Sequence, residues 1–178
     1  MTYVALMRGI NVGGKNKLPM KDLAAIFTGL GCRNVRTYIQ SGNVVFDAPA
    51  SVARKLASQI AANISKQFGL TVPVVLRDRE EMARVITGNP FLAAGLDEKW
   101  LHVMFLADRP TANAVAELDH NRSAPDEFQV VGREIYLHLP NGAGNSKLTN
   151  VYFDSKLGTI STARNWATTL ALFEMIKG

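Results

Sequence analysis

A chain of 178 residues is long enough for one ordinary domain or for two small ones sharing a core. With 47% hydrophobic and 20% charged residues it has the composition of a soluble globular protein, and no apolar run approaches the ~20 residues of a membrane helix. The net charge of +5 is unevenly spread: ten Lys/Arg against two acids give +8 in residues 1–77, six against eleven give −5 in residues 78–146, and four against two give +2 in residues 147–178. A basic half suggests a positive surface facing an anionic partner. A complementary interface between a basic and an acidic half accounts for the same asymmetry. Arg8 and the glycines after it break the opening apolar run too early for a signal peptide. The single cysteine, Cys32, excludes an internal disulfide, fits a reducing cytoplasm, and reads as a small residue at a strand entrance.

Residues 2–8 read as a buried strand. Met20, Leu23, Ala24, Phe27 and Leu30 then recur at helical spacing, and Gly29 and Gly31 end that helix. Residues 35–39 and 44–46 are β-rich, separated by the turn residues Gln40, Ser41, Gly42 and Asn43. Ser51 is suited to cap a long helix with the stripe Val52, Leu56, Ile60, Ile64 and Phe68, closed by Gly69. Residues 72–76 form a strand in which Pro73 indicates an edge or a first position. The order is βαββαβ, that of a ferredoxin-like unit.

Asp78-Arg79-Glu80-Glu81 is a capping-box pattern that leads a short helix. A strand over 100–106 and a helix over 111–118 follow. Residues 128–131 and 134–138 flank Gly132-Arg133, a two-residue hairpin link. A helix ending at Gly158 and a final helix over 162–176 complete the chain. The expected fold is therefore α+β: two packed ferredoxin-like halves, 1–77 and 78–178, the second with extra C-terminal helices. An internal duplication is expected from shared topology rather than from visible identity.

Three segments together carry a resemblance. Arg8-Gly9-Ile10-Asn11-Val12-Gly13-Gly14 with Leu18-Pro19-Met20, then Tyr38-Ile39-Gln40-Ser41-Gly42-Asn43-Val44-Val45-Phe46, then Arg164-Asn165-Trp166 resemble the bacterial family catalogued as domain of unknown function 1697. The resemblance spans essentially the whole chain. It implies two ferredoxin-like α+β halves, and it brings neither an accepted activity nor assigned catalytic residues.

Residues 9–16 come within one position of a phosphate-binding P-loop, but Asn16 stands where a metal-holding hydroxyl is needed. Pro19 disfavours helical geometry at Leu18, and the strand order is not that of a parallel nucleotide-binding sheet. A more general anion site survives. Gly9, Gly13 and Gly14 permit backbone that points N–H groups at a ligand, Arg8 supplies a guanidinium fork, and Lys15 and Lys17 supply point charges. Asn11, Gln40, Ser41 and Asn43 add neutral polar contacts, because the topology brings the 40–43 turn to the same sheet end as the loop. Alternatively the glycines only permit a tight connection, with solvated lysines.

Arg164 and Asn165, expected to open the last helix, either face a ligand or tie that helix to the glycine-rich loop. Gly142-Ala143-Gly144-Asn145-Ser146-Lys147 is a weaker second anion nest. His102, His120 and His138 show no metal-ligand spacing, no metal or other cofactor is expected, and no general base stands beside the loop. The expected function is binding of a phosphate-bearing ligand, nucleic acid or nucleotide first. The alternatives are an enzyme acting on a small anionic metabolite and a protein-interaction module. The oligomeric state stays open.

Overall fold

The computed structural model describes residues 1–178. It is an α+β protein with two compact units, one made of Met1–Ala83 with Leu172–Gly178, the other of Arg84–Ala171.

The first unit contains β1 (Thr2–Met7), α1 (Met20–Gly29), β2 (Arg33–Tyr38), β3 (Asn43–Asp47), α2 (Ala50–Phe68) and β4 (Val74–Asp78). Its four strands lie in the order β2-β3-β1-β4, each antiparallel to its neighbour. That is the βαββαβ arrangement expected from the sequence. Tyr3, Ala5 and Met7 alternate along one face of β1 and share a core with Val44 and Phe46 of β3. Leu23, Ile26 and Phe27 of α1, and Leu56, Ile60 and Ile64 of α2, supply the helical side of that core. Val4 and Leu6 point the other way and are equally buried. Burial on both faces explains why β1 reads as a continuous apolar run rather than an alternating one. Each fully buried Leu or Ile contributes about 1.5–3 kcal/mol.

Helix α2 starts one residue before Ser51, directly after Pro49, and no side chain caps it. The carbonyl of Pro49 accepts from Val52 N at 3.0 Å and from Ala53 N at 3.2 Å, so part of the first turn is satisfied by backbone without the Ser51 hydroxyl. Its other end closes on Gly69 in the left-handed conformation, whose N–H reaches Ser65 O. Strand β2 forms one edge of the sheet, with an irregularity between Arg33 and Arg36, both exposed charges that discourage further strand pairing. Strand β4 is the other edge, and Pro73 stands immediately before it.

Helix α3 (Arg79–Thr87) opens with the expected capping box: Glu81 N donates to Asp78 Oδ1 at 2.8 Å and Asp78 N donates to Glu81 Oε2 at 2.9 Å. The end of α3 belongs to the second unit, which continues with the single turn α4 (Pro90–Ala93), β5 (Leu101–Leu106), α5 (Ala112–Ala116), β6 (Glu127–Val131), β7 (Glu134–His138), α6 (Asn150–Leu157) and β8 (Ser161–Asn165); α7 (Trp166–Ile176) starts in this unit and its last turn, from Leu172, is counted with the first. The sheet order is β6-β7-β5-β8, the same succession as in the first unit. Gly132-Arg133 joins β6 to β7 as the two-residue link expected, with Val131 opposite Glu134.

One element corrects the sequence reading. Residues 161–165 are a strand rather than the start of the last helix, and the helix begins at Trp166. Ser161-Thr162-Ala163-Arg164 pairs with β5, Val103 opposite Arg164 and Met104 opposite Ala163. The strand completes a second βαββαβ unit, so one C-terminal helix is extra, not two.

Candidate functional site

The segment between β1 and α1 is a small hairpin standing on a side-chain clamp. Asn11 N donates to Asn16 O at 3.0 Å and Lys15 N to Val12 O at 2.9 Å, and Val12 bridges Lys15. The two residues of the tip, Gly13 and Gly14, have φ of +57° and +73°. Consecutive left-handed residues are the requirement of a type I′ turn, and only glycine meets it without cost. The tip is therefore a tight reversal. The N–H groups of Gly13 and Gly14 take part in no internal hydrogen bond and face solvent.

Asn11 holds the base of this hairpin. Its Oδ1 accepts from Leu18 N, and its Nδ2 donates to Leu18 O and to Gln40 O, each at 2.8 Å. Asn16 closes the other side, donating to Gly9 O at 2.8 Å. Asn11 and Asn16 are themselves left-handed, with φ of +53° and +51°, a conformation that asparagine tolerates better than most residues. Both Nδ2 hydrogens of Asn11 and one lone pair of its Oδ1 are engaged in holding the loop, so the side chain positions the edge.

The 40–43 turn meets the hairpin as the topology requires. Met7 N donates to Gly42 O at 2.9 Å, and Gln40 supplies the carbonyl that Asn11 uses. Gly42, at φ +81°, lies so close to Met7 and Ile10 that a β-carbon there would come within 2.8 Å of both. Asn43 is fully buried, and its Nδ2 donates to Tyr38 O and to Ser41 Oγ. That fixes the turn and takes Asn43 out of reach of solvent. Gln40, Lys15 and Lys17 are exposed, while Arg8 and Ser41 are half-buried. Lys15 and Lys17 make no ion pair, and neither segment contains an acid. Arg8 N donates to Pro73 O at 3.0 Å, so the loop is pinned to the start of β4 as well.

Arg164 and Asn165 belong to the second unit and do structural work there. Arg164 is buried at the end of β8, its Nη1 donating to Thr162 Oγ1 and to Ala163 O. Burial lowers its pKa to about 10. Asn165 Oδ1 accepts from Thr168 N at 2.8 Å, the N-terminal cap of α7. The Gly142–Lys147 loop folds into a short 3₁₀ turn, and Lys147 N and O are taken by Ser123 Oγ and Arg122 Nε. His102 and His138 lie in strands. Burial pushes the pKa of His102 down and that of the Cys32 thiol up, leaving a neutral imidazole and an unreactive thiol.

Ile39 is a position that the sequence does not single out. It has φ +47° and is 52% exposed, between the half-buried Tyr38 and the exposed Gln40. Val12, beside Asn11, is 60% exposed.

The family model described as "Protein of unknown function (DUF1697)" matches residues 1–136. The chain belongs to that family. All of the hairpin and the 40–43 turn lie inside the matched span, whereas Arg164 and Asn165 lie outside it. No curated protein matches the chain. Among solved structures it is similar to a conserved bacterial protein from Streptococcus pneumoniae, at 24% identity over 98% of both chains with a TM-score of 0.75. At that identity the likeness shows the fold alone.

Proposed function

We propose that this protein binds nucleic acid along the edge formed by the 11–16 hairpin and the 40–43 turn. The observation that carries the reading is the Asn11 clamp. Three hydrogen bonds fix the hairpin to its base and to the turn, so Lys15 and Lys17 stand on a preformed, exposed, acid-free edge. Preformed charge costs little ordering entropy on binding. Residues 12–17 are all exposed, which suits an extended polyanion running over a surface better than a small metabolite that needs enclosure.

The roles follow from the chemistry of each group. Lys15 and Lys17 neutralise phosphates and release their counterions, and Arg8 supports the same potential from the loop's entrance. The solvent-facing N–H groups of Gly13 and Gly14 donate to phosphate oxygens. Gln40 and Ser41 contribute neutral contacts that set register. The protein offers charge and hydrogen bonds there and no proton-transfer group, so binding rather than turnover is the function proposed.

The test is affinity for mixed-sequence DNA and RNA oligonucleotides over a salt series. Binding is expected to weaken as salt rises, with a slope of about 0.7–0.9 per phosphate neutralised. The K15E/K17E variant should fold normally and lose most of that slope. Unchanged binding by the folded variant would defeat the proposal. Tight, salt-insensitive binding of one small phosphorylated compound would replace it with the metabolite reading.

A further inference from the structure

We infer that the ligand of this edge is single-stranded nucleic acid, with unstacked bases lying on Tyr38, Ile39 and Val12 while phosphates meet Lys15 and Lys17. The inference rests on the nucleic-acid reading above and deepens it.

Ile39 is the starting point. Its φ of +47° is a conformation that a β-branched side chain strongly disfavours, and glycine or asparagine would hold it with much less strain. Packing does not explain the choice, because half of the residue is exposed to solvent. Turn geometry does not explain it either, since a left-handed residue with a small side chain would turn the chain equally well. What the strained backbone achieves is to present an aliphatic side chain to water at the edge where the cations stand. Strain held at one exposed position points to use of that position.

Val12 repeats the pattern across the clamp. The Asn11–Gln40 hydrogen bond joins the residues immediately next to Val12 and Ile39, so two exposed β-branched side chains flank one bonded pair. Tyr38 ends the edge strand β2, half-exposed, and its hydroxyl makes no hydrogen bond. An aromatic ring and two aliphatic side chains on the two segments that the Asn11–Gln40 bond joins, one of which carries Lys15 and Lys17, match a strand whose bases are turned outward, because every base has an apolar face. A duplex keeps those faces stacked inside and shows the protein phosphate, sugar and base edges, so side chains that lie flat on a base face find their surface on an unpaired strand.

The experiment is fluorescence anisotropy of the full chain with a labelled 12-nucleotide DNA or RNA strand and with its duplex, at several salt concentrations. Wild type should bind the single strand about tenfold or more tighter than the duplex. I39N should fold with an unchanged or higher melting temperature, since asparagine accepts the left-handed backbone. It should lose about tenfold in single-strand affinity with the salt slope intact. Y38A should lose a similar factor. K15E/K17E instead lowers the slope. Equal affinity for strand and duplex, or unchanged affinity in both I39N and Y38A, would overturn the single-strand inference while leaving nucleic-acid binding standing. Failure of either form to bind at low salt would defeat both.

Discussion

Arg77 and Arg164 occupy the same register position in the two sheets. Arg77 of β4 sits opposite Val4, the third residue of β1, and Arg164 of β8 sits opposite Val103, the third residue of β5. Both are buried, and each donates Nη1 to the carbonyl of the residue before it, Leu76 at 2.8 Å and Ala163 at 2.7 Å. Each is followed by a residue whose side chain caps the next helix three residues on, Asp78 for Glu81 N and Asn165 for Thr168 N. A strand ending in a buried arginine and a helix cap is thus built twice in one chain. In each case the guanidinium bonds a carbonyl of its own strand.

Truncating Arg164 to alanine should cost about 2–5 kcal/mol, because it opens a cavity where a long side chain was buried and removes the Nη1 donor from Ala163 O and Thr162 Oγ1. R164K should recover only part of that loss, since an ammonium cannot reproduce a planar two-pronged donor. Urea denaturation gives both values. An R164A variant within about 0.5 kcal/mol of wild type would show that the arginine contributes no net stability.

Asn11 should behave as a positioning residue. N11D keeps the acceptor for Leu18 N, loses both donors, and sets a carboxylate against the carbonyls of Leu18 and Gln40. A loss of about 1–2 kcal/mol is expected, concentrated in the loop. Hydrogen exchange should rise for the amides of Leu18, Asn11 and Lys15, while the β1–β3 ladder stays protected. Unaltered exchange at Leu18 would show that the clamp is not what orders the hairpin.

The halves differ in how much of this could be read from residues alone. Strand and helix periods over 1–78 were plain because glycines and prolines punctuate them, and the meeting of loop and turn followed from strand direction. The 161–165 strand was hidden because Thr162, Ala163 and Arg164 show no apolar alternation, and an arginine buried in a strand resembles a charge on a helix surface. Asn165 was the available signal, a capping residue placed directly before Trp166. Ile39 was hidden for a different reason: β-branched residues are strand formers, and nothing in a sequence announces a positive φ at isoleucine.

His102 gives the fold a pH dependence. Burial lowers its pKa below the 6.5 of a free imidazole, so below 6.5 the unfolded chain binds a proton that the folded one resists. Its contribution to stability is complete above 6.5 and is lost as pH falls through the folded value. H102Q should flatten that part of the stability profile. A histidine titration by NMR places the midpoint directly, and a value at or above 6.5 would contradict the assignment.

Gly42 and Gly13 separate two reasons for keeping glycine, and the ranking of their alanine variants is a prediction. Both have positive φ, but only Gly42 is crowded: a β-carbon would lie 2.8 Å from Met7 Cβ and from Ile10 Cδ1, while nothing stands within 4 Å of one at Gly13. G13A should therefore pay for the backbone alone, about 1–2 kcal/mol. G42A must also displace Met7, whose N–H bonds Gly42 O, and Ile10, which is fully buried beneath the hairpin. A core that cannot yield at a strand end makes this overpacking costly, about 2–5 kcal/mol in all. Because the same shift moves the turn away from Asn11 Nδ2, G42A should also weaken the nucleic-acid binding proposed above even where the protein remains folded. G13A, whose lysines stay in place, should leave most of the affinity. Equal destabilisation by the two variants would mean that the turn can move away from Met7 and Ile10 at little cost.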